Sequence, residues 1–299
     1  MKALAELHLH LDGSLRAETM VSLAAQQGVA LPSWDIRFEP GMSLAQALSR
    51  FETTLSVLQS PEAVCRVAAE ICEDAAALGV ETLEIRFAPQ LHSGAELEEI
   101  VDAAIDGIGG RAGLILCGLY GEPPAIFDRF VEAARTRPAV VGIDLAGGPA
   151  PSHSFGMGDY AEAFGRAAAA GLGLTVHAGE GRDPSEIAVA IEALGATRIG
   201  HGTTLLEDPQ VLDLVLERGV TIEACPSSNV HTGAIGRLSD HPIKRWIELG
   251  VKVCVCADNT FLSDTDAAEE LRRVREACGL LEDEVEHVLA CGHAASFTR

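Results

Sequence analysis

Positive charge is scarce in this sequence. Its 299 residues carry 22 Lys and Arg against 44 Asp and Glu, a formal charge of −22. Phosphate contacts to nucleic acid and docking on an anionic membrane both draw on a basic face, so neither partner is expected. Long apolar runs are missing too. No run of about 18 apolar residues is free of charge, so no membrane-spanning helix is expected. The opening MKALAELHLHLDGS has no long apolar core and no small-residue cleavage site, which argues against a secretory leader. There is no low-complexity tract, Gly/Ser linker or short repeat. With 47 % hydrophobic and 22 % charged residues, the composition is that of a globular chain rather than a disordered one.

A disulfide framework is absent as well. Cys65, Cys72, Cys117, Cys225, Cys254, Cys256, Cys278 and Cys291 are spread along the chain, mostly in apolar stretches. That pattern fits reduced, buried thiols in a cytoplasmic protein. Cys254 and Cys256 alternate within one strand-like run and share a face, but no further metal ligands lie beside them.

What is present is an alternation. Short β-rich runs fall at 4–11, 81–88, 113–119, 140–145, 172–177, 197–200, 220–224 and 252–256. They are nearly continuous in apolar residues, as strands buried on both faces are. Helical patterns lie between most of them, at 17–27, 61–78, 95–108, 125–135, 159–170, 184–194 and 209–218. Several open at Asp-Pro or Ser-Pro and several stop at Gly. Eight strands with intervening helices imply one α/β domain over 1–299, a (β/α)8 barrel of the TIM type, with a doubly wound open sheet as the alternative. An extra helix at 44–58 follows the first strand and is placed to cover its C-terminal end. Two more, at 266–278 and 282–291, close the chain.

The polar residues fall where such a barrel does chemistry. His8 and His10 alternate on the first strand and point to one side. His177 ends the fifth strand in VHAGE, with Glu180 three residues on. His201 ends the sixth in RIGHG, and Asp258 follows the eighth in CADN. C-terminal strand ends converge on one mouth, so these residues meet in space. One histidine at a strand end is more often a satisfied polar residue than a ligand. Five polar groups at such ends are not easily accidental. Three imidazoles and a carboxylate suit Zn²⁺ with a position left for water, and Fe(II), Mn(II) or Co(II) would accept the same set. A metal there lowers the pKa of water toward neutrality. Glu180, in a partly apolar pocket, could stay protonated and serve as an acid. His92, His153, His231, His241, His287 and His293 read as ordinary loop or helix residues.

HLHLDGS at 8–14, DLAGG at 144–148, HAGE at 177–180, RIGHG at 198–202 and CPSSN at 225–229 resemble the adenosine deaminase family of the amidohydrolase barrels. The five motifs occur in the family's order and cover almost the whole chain. The resemblance implies zinc-dependent hydrolytic deamination at C6 of a 6-aminopurine nucleoside. It implies that His8, His10, His177 and Asp258 bind one zinc ion, that Glu180 protonates purine N1, and that His201 orients and deprotonates the attacking water. It also implies that the Gly147 N–H meets N3 and that Asp12 lies near the sugar 5′ position.

One departure stands out. Where the family has an Asp-Asp-Pro run, this chain has Asp258-Asn259-Thr260. The second position resembles the one that contacts purine N7, an acceptor. An Asp must be protonated to donate there, whereas Asn259 donates at any pH. The swap keeps purine recognition and favours a substrate other than adenosine. Some shorter bacterial relatives deaminate 6-aminodeoxyfutalosine, an adenine nucleoside with a benzoate-like 5′ extension, in menaquinone synthesis. This chain resembles that group, with adenosine and adenine as alternatives. A carboxylate substrate would want a donor, for which Arg50, Arg86 and the loop 152–154 are candidates. Two other readings compete: a barrel hydrolase cutting another bond, and a silent relative that binds a nucleoside.

Overall fold

The structure, a computed structural model, describes residues 3–298. Its eight strands are β1 (Leu4–His10), β2 (Val80–Phe87), β3 (Gly113–Leu119), β4 (Val140–Ala146), β5 (Gly173–Ala178), β6 (Arg198–His201), β7 (Thr221–Ala224) and β8 (Lys252–Val255). Each pairs in parallel with the next in sequence, in the order β1 to β8. A doubly wound sheet would bring non-consecutive strands together, so that alternative falls away. The ring is drawn shut just beyond β8. His10 N donates to the Asp258 carbonyl at 2.8 Å, and Asp258 N donates to the His8 carbonyl at 2.9 Å. Buried Glu6 reinforces the seam by accepting from His8 N at 3.0 Å and Ala257 N at 2.8 Å. The fold is the (β/α)8 barrel that the alternation implies.

The helices form where pattern and capping agree. In Leu97–Ile108, the buried Leu97, Ile100, Val101, Ala104 and Ile108 recur at helical spacing, and Gly109 at φ 55° ends the helix. Ser60 caps Pro61–Ala77 by accepting from Ala63 N, and Asp208 caps Pro209–Arg218 by accepting from Gln210 N. Two short helices, Pro226–His231 and Ile243–Glu248, have no counterpart in the sequence reading. Six residues are too few to show a 3.6-residue period. Among the described residues no helix is long and apolar enough to cross a membrane.

The strands sort their side chains by period two. Leu9, Ile85, Phe87, Ile143, Leu145, Val176, Ile199 and Ile222 pack in the main apolar core. The alternate positions hold a buried polar network. Arg86 Nη1 donates to Asp144 at 2.9 Å and its Nη2 to Glu223 at 2.9 Å. Arg198 pairs with Glu84 and Glu223, each at 2.7 Å. Breaking a buried ion pair strands a charge at a large cost, so these charges constrain one another. All eight cysteines are free, and Cys254 on β8 and Cys256 just after it place their sulfurs 3.7 Å apart, on one side as the alternation implies.

His241 gives the fold an acid sensitivity. It is buried at the start of the Ile243–Glu248 helix, its Nδ1 accepts from Ile243 N at 3.2 Å, and its ring meets Trp246 edge-on. An Nδ1 that accepts is unprotonated. Burial, with a smaller contribution from His201, pulls its pKa down to about 3 from an ordinary 6.5. The unfolded chain therefore binds this proton first. The stabilisation is complete above about pH 6.5 and is lost as pH falls toward 3, at about 1.4 kcal/mol per pH unit. His241→Gln is expected to flatten the acid limb of a Tm-against-pH profile over that window. An unchanged slope would remove His241 from the account.

Candidate active site

At the C-terminal end of the barrel three imidazoles converge. His10 Nε2 lies 3.3 Å from His8 Nε2 and 3.3 Å from His177 Nε2. Asp258 Oδ1 lies 3.6 Å from His8 Nε2 and 3.5 Å from His10 Nε2. Four donor atoms on a tetrahedron with ligand distances of about 2.0–2.2 Å stand about 3.3–3.6 Å apart. The observed separations match that edge. Burial pulls the pKa values of His8 and His10 well below the ordinary histidine value, so both rings are neutral and carry lone pairs.

Two carboxylates behind the cluster set its tautomers. His8 Nδ1 is 2.7 Å from Glu223, and His177 Nδ1 is 3.1 Å from Asp144. With Nδ1 donating outward, each Nε2 lone pair faces the centre, the arrangement that orients metal-bound histidines. Burial opposes the Asp144 charge, but His177 and Arg86 outweigh it and hold its pKa below the usual carboxylate range. For His177, burial lowers the pKa, while Asp144 turns the net shift upward. Gly200 lies under this cluster on β6, where an added Cβ would come within 2.9 Å of the His8 ring.

Glu180 and His201 stand beside it. Strict alternation would turn His201 outward, next to the outward Ile199. Its φ of 68° breaks the alternation, and Asp258 has a φ of 63°. Left-handed backbone at a non-glycine residue is strained and gathers at functional sites. Asn229, on the short helix Pro226–His231, bridges the pair. Its Nδ2 donates to Glu180 Oε1 at 3.3 Å and lies 3.0 Å from His201 Nδ1. Thr232 Oγ1 donates to the same Glu180 oxygen at 2.8 Å. Burial lowers the His201 pKa on balance, so the ring is neutral. Glu180 departs from expectation. Burial would raise its pKa, but His201, Thr232 and Arg182 outweigh that and hold it below the ordinary value. Its surroundings are polar rather than partly apolar, so the free site holds a carboxylate.

A cavity of about 630 Å³ opens above these groups. Asp12, Gly147 and Asn259 all line it, together with His10, His177, Glu180, His201 and Asp258. Gly147 adopts φ 79°, which only glycine takes at little cost. Asn259 is buried against Gly13, where any Cβ would strike its amide. The helix Leu44–Val57 roofs the cavity with Leu44, Leu48, Phe51 and Leu55, as its place after β1 suggests.

The adenosine deaminase family model matches residues 3–299. An adenosine deaminase of Vibrio vulnificus is 37 % identical over 298 residues, covering 93 % of this chain and 89 % of that protein. The chain belongs to the adenosine deaminase family. A probable adenosine deaminase of Dictyostelium discoideum is 36 % identical over 98 % of this chain but only 40 % of its own, longer sequence. Among solved structures, an adenine deaminase from Arthrobacter aurescens superposes with a TM-score of 0.88 at 26 % identity, over 100 % of this chain and 95 % of that one. This deaminase is thus a metal-dependent aminohydrolase of adenine derivatives.

Two candidate donors for a substrate carboxylate are misplaced in the sequence reading. Arg86 is fully buried inside the barrel, committed to Asp144 and Glu223. Arg50 stacks over Trp34 at 4.3 Å and does not line the cavity. His153, from the third candidate, does line it. Among the described lining residues the one lysine or arginine is Arg182, which also pairs with Glu186 at 3.0 Å. Sequence reasoning passed over Arg182, Asp144, Glu223 and Asn229 as site groups. For Asp144 and Glu223 a signal existed: each is a lone charge within an apolar strand, at the inward position of the period.

Proposed function

We propose that this deaminase is a 6-aminopurine nucleoside deaminase with one zinc ion held by His8, His10, His177 and Asp258. The four donors suit that ion in number and type, and His10 Nε2 stands 3.3–3.5 Å from each of the other three; the ion would supply water acidified toward neutral pH. The residues around it divide the remaining work. Water adds to C6, the C6–N bond breaks, and ammonia leaves. His201, neutral, orients the attacking water and, in the tautomer with its hydrogen on Nδ1, takes the water's proton at Nε2 and passes it to the amino nitrogen, which leaves as ammonia. Glu180 faces N1. Two lone pairs in a dry site repel, so Glu180 takes up a proton as the purine enters and delivers it to N1 as the ring loses aromaticity. The Gly147 N–H donates to N3 and the Asn259 amide to N7. Asp12 meets the sugar near its 5′ position.

The observation that carries the finer reading is the apolar roof. Phe38, Leu44, Leu48, Phe51, Leu55 and Leu91 line the cavity, which suits a substituent with an apolar or aromatic body. Arg182 and His153 are the available partners for an acid on that body. We read the substrate as 6-aminodeoxyfutalosine, deaminated to futalosine for menaquinone synthesis. The likeness to adenosine deaminases along the whole chain favours adenosine as the second reading. Zinc-loaded protein is to be given 6-aminodeoxyfutalosine, adenosine and adenine in parallel, with loss of the adenine absorbance band followed. At least a tenfold advantage in kcat/KM for the first supports the reading. An advantage for adenosine makes Asn259 a tolerated swap. Failure of all three removes the proposed activity.

A further inference from the structure

His92 makes two contacts that together reach across the site. It follows the short turn Pro89–Leu91 at the end of β2 and is buried. Its Nε2 lies 3.0 Å from Asp12 Oδ1, and its Nδ1 lies 2.5 Å from the carbonyl oxygen of Leu58. Leu58 is the residue that ends the helix Leu44–Val57, the roof of the cavity. The ring of Phe87 meets the imidazole edge-on at 5.3 Å and fixes its plane.

The chemistry of these contacts is restrictive. A backbone carbonyl only accepts, so Nδ1 carries a proton. Nε2 then donates to an ionised Asp12 or accepts from a protonated one. Either way a proton lies between His92 and Asp12 Oδ1, and that oxygen is spoken for. The other oxygen, Oδ2, has only a 3.5 Å approach from Ala88 N and remains free to meet a ligand. Burial alone would lower the His92 pKa, but Asp12 and the Leu58 carbonyl turn the net shift upward, in keeping with a donating ring. Without the imidazole, Asp12 would lose its one side-chain partner and could rotate about two side-chain bonds.

We propose that His92 is a positioning residue that aims Asp12 at the sugar of the nucleoside and ties it to the end of the roof helix. This rests on the reading above in which Asp12 meets the sugar. His92 acts on the nucleoside's sugar and leaves the purine contacts alone, because Gly147, Glu180 and Asn259 are held by other elements. Specificity for nucleoside over free base is therefore set partly by a residue that touches neither.

The test compares inosine, the simplest 6-oxopurine nucleoside, with its free base hypoxanthine, by calorimetry on the metal-loaded protein. His92→Gln keeps one hydrogen-bonding group, and His92→Leu keeps none. Inosine affinity is expected to fall about tenfold or more in His92→Leu and less in His92→Gln. Hypoxanthine affinity and metal content should change by less than twofold. If His92 works through Asp12, the effect of His92→Gln disappears in an Asp12→Ala background. Equal losses for inosine and hypoxanthine, or an undiminished effect without Asp12, would overturn the inference. Absence of turnover by the wild-type protein would instead overturn the proposed function, since the binding comparison does not depend on catalysis.

Discussion

Glu180→Gln is expected to cut kcat by about 10³-fold while leaving the metal in place. The substitution is nearly isosteric, and the site dictates which way the amide points. Asn229 and Thr232 both donate to Glu180 Oε1. The glutamine carbonyl takes that place and turns its NH₂ toward the purine. That amide can donate a hydrogen bond to N1 but has no proton to give up. Binding of the unreacted 6-aminopurine, whose N1 accepts, should therefore change by no more than a few fold, while turnover collapses. Glu180 is not one of the four groups assigned to the metal, and its Oε1 is engaged by Asn229 and Thr232, so metal content should hold. Absorbance assays with elemental analysis on the same sample would check both halves. Turnover near that of wild type would show that another group supplies the proton.

His177→Ala is expected to strip the site of its metal, with affinity weaker by more than about 100-fold, since a lost ligand should cost at least what a lost supporting group does. The fold should survive the change. Asp144, which accepts from His177, keeps its buried ion pair with Arg86 at 2.9 Å, and Arg86 remains paired with Glu223. No buried charge is stranded, which is the usual route to a large loss of stability. Elemental analysis should fall from one equivalent per chain to a small fraction, and activity should fall with it. A full equivalent of metal in folded His177→Ala protein would exclude His177 as a ligand. The site would then have to be rebuilt around His201, which lies close to His8 in the same cluster.

Much of the fold was legible because the strands are local signals. All eight lie within one or two residues of their expected bounds, from 4–11 against Leu4–His10 to 252–256 against Lys252–Val255. Runs of apolar residues buried on both faces leave little ambiguity, and glycine and proline mark their ends. The helix at 44–58 was legible in the same way, and so was its place over the first strand. The polar groups at strand ends could be read one by one, because period two assigns each to a face.

The interior network was harder to read. Asp144, Glu223, Arg86 and Arg198 come from four strands, and their pairing depends on how the ring closes. Taken from the sequence, Arg86 is an unassigned cation. In the barrel it lies between two carboxylates that orient two metal-type histidines. Asn229 was hidden for a different reason. It sits on a helix of six residues, too short to show a pattern, and its reach to both Glu180 and His201 exists only where the segments at the ends of β5, β6 and β7 meet.

The sequence by itself determined the barrel, the family, and the set of histidines and carboxylates that face the mouth. These follow from periodicity and motif, both properties of short stretches of chain. The tertiary structure decided the protonation and aim of those groups: which nitrogen of His8 and His177 faces inward, why Glu180 is a carboxylate in the free site, and how His92 connects Asp12 to the roof. Each of those depends on partners brought close by ring closure, and electrostatic and hydrogen-bond energies depend on separation in space rather than along the chain.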